Sequence, residues 1–135
     1  MGVQLGKDSI DLGILVNDAD AALAFYRDTL GFEPVGETPL PGGLGTMYRL
    51  MCGTTLIKLL RPTNPLPALA APGGLFGAYG FRYFTITVTN LAEITAACEA
   101  AGYQVVVPIR ESRPGVTISM VADPEGNWVE FLQVG

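Results

Sequence analysis

The sequence predicts an α+β protein of two tandem βαβββ modules, with mixed sheets that form a cup-shaped cavity. Three observations predict it. The chain repeats itself: Val16-Asn17-Asp18, Leu30-Gly31-Phe32 and Lys58 in the first half match Val88-Thr89-Asn90, Ala101-Gly102-Tyr103 and Glu130 in the second, at an offset of 71 or 72 residues. Within each repeat the apolar spacing switches from alternation to a helical stripe and back to alternation. With 135 residues, 49% of them hydrophobic and 16% charged, the chain can bury one substantial core. A single domain over residues 1–135 is expected, with modules at about 8–60 and 82–135 and a linker at 61–81.

Each element has a local reason. Ser9 to Val16 alternates Leu12, Ile14 and Val16 with Asp11, Gly13 and Leu15, as a two-faced strand does. Asp18 is placed to cap a helix from about Ala19 to Leu30, whose stripe is Ala22, Leu23, Phe25, Tyr26 and Leu30. Gly31 suits its end. Phe32 to Glu37 reads as a strand, and Thr38 to Gly45 as a loop broken by Pro39, Pro41, Gly42 and Gly43. Thr46–Met51 and Thr55–Leu60 read as a hairpin around Cys52-Gly53-Thr54.

The second module repeats this order. Tyr83 to Val88 is a strand, and Asn90 with Glu93 forms a capping-box pair for a helix that stops at Gly102. Tyr103–Ile109, Val116–Ala122 and Asn127–Gln133 follow as strands. Asp123-Pro124-Glu125-Gly126 has the preferences of a type I turn. The linker, rich in Pro, Ala and Gly, has two readings: a segment ordered over the cavity with Phe76 and Tyr79 as anchors, or a flexible connection.

Composition also limits partners. A net charge of -5 with scattered basic residues argues against nucleic acid and anionic membranes. There is no histidine, so Ser-His-Asp and Cys-His catalysis are excluded. Cys52 and Cys98 form no CxxC pair, and a disulfide between them is not expected. No signal peptide, N-myristoylation motif or membrane-spanning run is visible, so a cytoplasmic location is the default expectation.

Asp18 ahead of Phe25-Tyr26-Arg27-Asp28-Thr29-Leu30-Gly31-Phe32, with Asp123-Pro124-Glu125-Gly126-Asn127-Trp128-Val129-Glu130 near the end, resembles the vicinal oxygen chelate superfamily. That group includes glyoxalase I, bleomycin-binding proteins and extradiol dioxygenases. The resemblance implies a site in the cup, where the superfamily's enzymes hold a divalent metal on His and Glu ligands. The matching positions here are Asp11, Lys58, Tyr83 and Glu130, and only Glu130 keeps the usual ligand type. No imidazole is available for a first-row metal, and an ammonium opposes a hard cation. The expectation is therefore no metal and no other cofactor, with Lys58 in the cation's place, paired with Asp11 and Glu130. Strand alternation puts Lys58 on the cup side with Leu56 and Leu60, away from Ile57 and Leu59.

Two functions follow. The first is a metal-free binding protein for a small molecule, drug or natural product, dimeric as such relatives commonly are, with Met47, Tyr48, Met51, Phe76, Tyr79, Tyr83, Met120 and Trp128 as candidate ligand contacts. The second is a lyase or isomerase acting α to a carbonyl, with Asp11 or Glu130 as acid and base, Tyr83 assisting and Lys58 stabilising an oxyanion. A metal-dependent glyoxalase or dioxygenase ranks below both. Arg49, Arg82 and Arg110 are candidates for a carboxylate or phosphate on a ligand, or are plain surface residues.

Overall fold

The computed structural model describes residues 2–135. The chain divides into two compact units between Pro67 and Ala68, inside the segment read as a linker.

The first unit runs β1 (Asp11–Leu15), α1 (Ala19–Leu23), β2 (Glu33–Pro39), β3 (Gly45–Cys52) and β4 (Thr55–Pro62). Its sheet has the order β1-β4-β3-β2, with β1 and β4 parallel and the other neighbours antiparallel. The second unit runs β5 (Tyr83–Thr87), α2 (Leu91–Ala100), β6 (Val105–Arg113), β7 (Val116–Ala122) and β8 (Trp128–Val134), in the order β5-β8-β7-β6. Each unit is thus βαβββ with a mixed sheet, as the repeat predicts.

Alternation fixes the faces. Leu50, Ile57 and Leu59 of the first sheet are buried, as are Phe25 and Tyr26 of the helix. Val121, Val129 and Phe131 are buried in the second unit, with Leu91 and Cys98 of α2. These are the apolar stripes expected to meet in each module.

The first helix departs from the expectation of one α-helix to Leu30. After Leu23 it widens into a π-helical stretch over Ala24–Thr29, where the Leu30 N–H reaches the Phe25 carbonyl at 2.9 Å. A π-turn accommodates one additional residue in a helix. The repeat accounts for it: the offset is 72 at Asp18/Asn90 and 71 at Gly31/Gly102, so the first helix holds one residue more than the second. The wide turn buries two neighbouring aromatics, Phe25 and Tyr26, whose rings meet edge-on at 4.7 Å; Tyr26 also stacks on Phe32 at 5.9 Å. Gly31, at φ 80, ends the helix in the left-handed region.

The two helix starts differ as well. Asp18 caps as expected, accepting from the Ala21 N–H at 3.0 Å. Asn90 does not: its side chain makes no capping bond. Gln133 of β8 takes that role, accepting from the Leu91 N–H at 2.9 Å and donating to the Thr89 carbonyl at 3.1 Å. The capping-box bond does not form, and Gln133 instead satisfies the first N–H of the helix, a donor that a capping box leaves open. The Asp123 turn forms as read, and its carboxylate accepts from the Glu125 and Asn127 N–H groups at 2.9 and 2.8 Å.

This arrangement sets an order of stabilities. Gln133→Ala should lower stability by about 1 kcal/mol, the usual worth of a cap, and Asn90→Ala by clearly less. Urea denaturation of both variants checks it, and the opposite order contradicts it.

Candidate functional site

The face of the first sheet turned away from its helix is set by register. Lys58 on β4 lies beside Arg49 on β3 and Gly13 on β1, and Asp11 lies beside Leu56. Asp11, Lys58, Leu56 and Leu60 therefore share one face, opposite Ile57 and Leu59. Lys58 and Asp11 side chains are about one-third exposed, at 33% and 31%.

Asp11 is held by two ammonium groups. Lys58 Nζ stands 3.7 Å from Asp11 Oδ2, and Lys7 Nζ donates to Asp11 Oδ1 at 2.5 Å. The expectation named only Lys58, yet Lys7 is the closer partner. The hydrogen bond from Lys7 holds the Asp11 carboxyl below its ordinary value of 3.8, against a smaller opposing effect of desolvation; the charges of Lys7 and Lys58 add to the lowering.

Glu130 has a threonine partner within its own unit. Thr85 Oγ1 donates to Glu130 Oε1 at 2.7 Å, across the register pair Thr85↔Glu130. Tyr83 and Trp128 are the next pair along that face, and Tyr83 is exposed. Met120 pairs with Glu130 from β7 and is buried, only 3% exposed.

The candidate ligand contacts separate by alternation. Met47 and Met51 lie on the face of Arg49, half-buried. Tyr48 lies on the opposite face, beside the buried Leu59. Phe76 and Tyr79 do not anchor the connecting segment, because both side chains are almost wholly exposed. Arg82 anchors it: the guanidinium donates to the carbonyls of Ala71 at 3.0 Å, Pro72 at 3.2 Å and Gly74. Gly74 sits directly on the Trp128 indole, where a Cβ would collide with the ring, and its φ of +68 suits glycine alone. A crevice of about 180 Å³ beside Trp128 is lined by Gly74, Tyr79, Phe81, Arg82 and Asn127. The segment is ordered through backbone carbonyls, which leaves its aromatics outward.

Cys52 and Cys98 are both free. Burial pushes the Cys98 thiol up to about 11 and raises Cys52 as well, so both resist forming thiolate.

A divalent metal does not fit these donors. Among the described residues no three Cys, Asp or Glu side chains converge, and the chain has no histidine. Asp11 faces two ammonium groups that would repel a cation. Among the described residues no helix is long and apolar enough to cross a membrane.

The chain belongs to the Glyoxalase/Bleomycin resistance protein/Dioxygenase superfamily, whose family model matches residues 9–131. Among solved structures, it is similar to a glyoxalase family protein from Bacillus cereus, with 19% identity over 98% of this chain and 96% of that one, at a TM-score of 0.83. It is similar to a glyoxylase/bleomycin resistance protein/dioxygenase domain from Frankia, with 17% identity over 98% and 94% and a TM-score of 0.76. The trypanothione-dependent glyoxalase I of Leishmania major shares 21% identity over 91% and 84%, with a TM-score of 0.68. At these identities the likeness establishes the fold. No curated protein matches.

The depressed Asp11 carboxyl has a signed consequence. Its contribution to stability is present above the unfolded-state value and is lost as pH falls through the lower folded value. Lys7→Met should raise the Asp11 titration midpoint more than Lys58→Met does. Carboxyl NMR titration checks this, and a larger effect from Lys58→Met contradicts Lys7 as the principal partner.

Proposed function

We propose that this chain is a metal-free binding protein for a small apolar or amphipathic molecule, cytoplasmic and homodimeric. The observation that carries the reading is the Lys58 ammonium 3.7 Å from the Asp11 carboxylate, at a position that the family resemblance matches to a metal ligand of related enzymes. Around it, Met47, Met51, Leu56 and Leu60 are half-buried on the same face. Apolar walls with a few fixed polar groups are what small-molecule sites require. Methionines add a surface that adapts to irregular ligands. Two free thiols suit a reducing compartment. The exposed Phe76, Tyr79 and Phe81 offer an apolar patch that a second copy can cover.

A lyase or isomerase is the weaker reading. A general base works best with a pKa near the operating pH, and Asp11 is shifted the wrong way by its ammonium partners. Glu130 is engaged by Thr85.

A thermal-shift screen against hydrophobic natural products and small keto acids tests the reading. A true ligand at one hundred times its Kd adds about 2.7 kcal/mol of stability, which raises Tm by several degrees. Turnover of a keto acid that vanishes in Asp11→Asn or Glu130→Gln overturns the binding reading in favour of an enzyme.

A further inference from the structure

On the face of the first sheet turned away from its helix, the central row has a residue from each strand: Gly36 on β2, Arg49 on β3, Lys58 on β4 and Gly13 on β1. Two cations stand directly opposite one another on neighbouring strands. Like charges so placed destabilise a sheet unless something neutralises them. Little among the described residues does. Asp11 is taken up mainly by Lys7, at 2.5 Å against 3.7 Å for Lys58. Arg49 makes no ion pair or side-chain hydrogen bond among the described residues. Glu33, the other carboxylate of this face, pairs in register with Met51 and forms no ion pair with Arg49.

The glycines at the ends of the row play different parts, one seating the guanidinium and the other leaving open space. The Arg49 guanidinium rests across Gly36, and a Cβ there would strike Nη2. Beside Lys58 the floor is bare backbone: a Cβ on Gly13 would meet only Leu60 Cδ1, at 3.8 Å. The adjoining rows are apolar at their centres, Met51 with Leu56 on one side and Met47 with Leu60 on the other. A cationic strip between two apolar strips is an unusual concentration in a chain of net charge -5.

We propose that Arg49 and Lys58 bind the carboxylate of an amphipathic small molecule, whose apolar body lies along the methionine and leucine side chains. This rests on the ligand-binding reading and names its ligand class. A guanidinium presents paired N–H donors matched to the two carboxylate oxygens, and the ammonium adds a mobile point charge. The bound anion relieves the cross-strand repulsion. The same chain with a neutral head group gains the apolar contacts and leaves both cations unmatched.

The test uses whole protein carrying ¹³C-methyl methionine, titrated with octanoate and with octanol below the concentrations at which either aggregates. Both ligands should move the Met47 and Met51 methyl resonances, with octanoate bound about tenfold or more tightly, the ratio that a charge-assisted hydrogen bond supplies. Arg49→Gln and Lys58→Gln should each weaken octanoate by about tenfold and leave octanol unchanged, which also shows that the face is intact. Gly36→Ala, which displaces the guanidinium but keeps its charge, should weaken octanoate less. Equal affinity for the two ligands overturns the carboxylate assignment and leaves ligand binding standing. A preference for octanoate that survives in the Arg49→Gln/Lys58→Gln double variant also overturns the assignment to this row. Movement of neither methyl with either ligand overturns both readings.

Discussion

The register of β1 against β4 governs the first unit. Gly13 beside Lys58 and Asp11 beside Leu56 place an ammonium and a carboxylate on the one face turned away from the helix. A slip of one residue would turn Lys58 under the helix and Ile57 and Leu59 toward solvent. Burying an unpaired ammonium costs far more than the exchange of two apolar side chains recovers. The hydrophobic pattern of β4 therefore fixes the position of its one charged interior residue, and the face's chemistry follows from that position.

The repeat was legible in the sequence to the level of single residues. The matched pairs gave the two βαβββ units, and the change of offset from 72 to 71 across the helix held the information for the π-turn. Helical periodicity alone hides it, because Phe25 and Tyr26 fit a broad α stripe as easily as a widened turn. The helix starts show the limit of local signals. Asp18 caps from within its own turn, so spacing finds it. The cap of α2 comes from Gln133, on a strand that reaches the helix only after folding.

The site divides along the same line. Lys58 and Asp11 were legible because alternation and the repeat both place them. Lys7 lies before β1, in a stretch without periodicity; its only signal was a spacing of four from Asp11. Tyr48 was grouped with Met47 and Met51, although adjacent strand residues face opposite ways and the pleat had to separate them. The expected link between Lys58 and Glu130 came from matching repeat positions. Within its own sheet Lys58 stands by Asp11, and Glu130 accepts from Thr85. Residue type leaves Phe76 and Tyr79 either anchors or incidental aromatics of a flexible linker, whereas Arg82 holds their segment through three backbone carbonyls, an interaction that no side-chain pattern announces.

Together these features are the basis for reading the fold apart from metal chemistry. The family supplies the frame, while the carboxylates singled out in this chain are Asp11, between two ammonium groups, and Glu130, hydrogen-bonded to a threonine. Elemental analysis of protein purified without chelator tests this most directly. The account predicts first-row metal far below one equivalent per chain, unchanged in Asp11→Ala and Glu130→Ala. Stoichiometric Mn, Fe, Ni or Zn that is lost in either variant would contradict it.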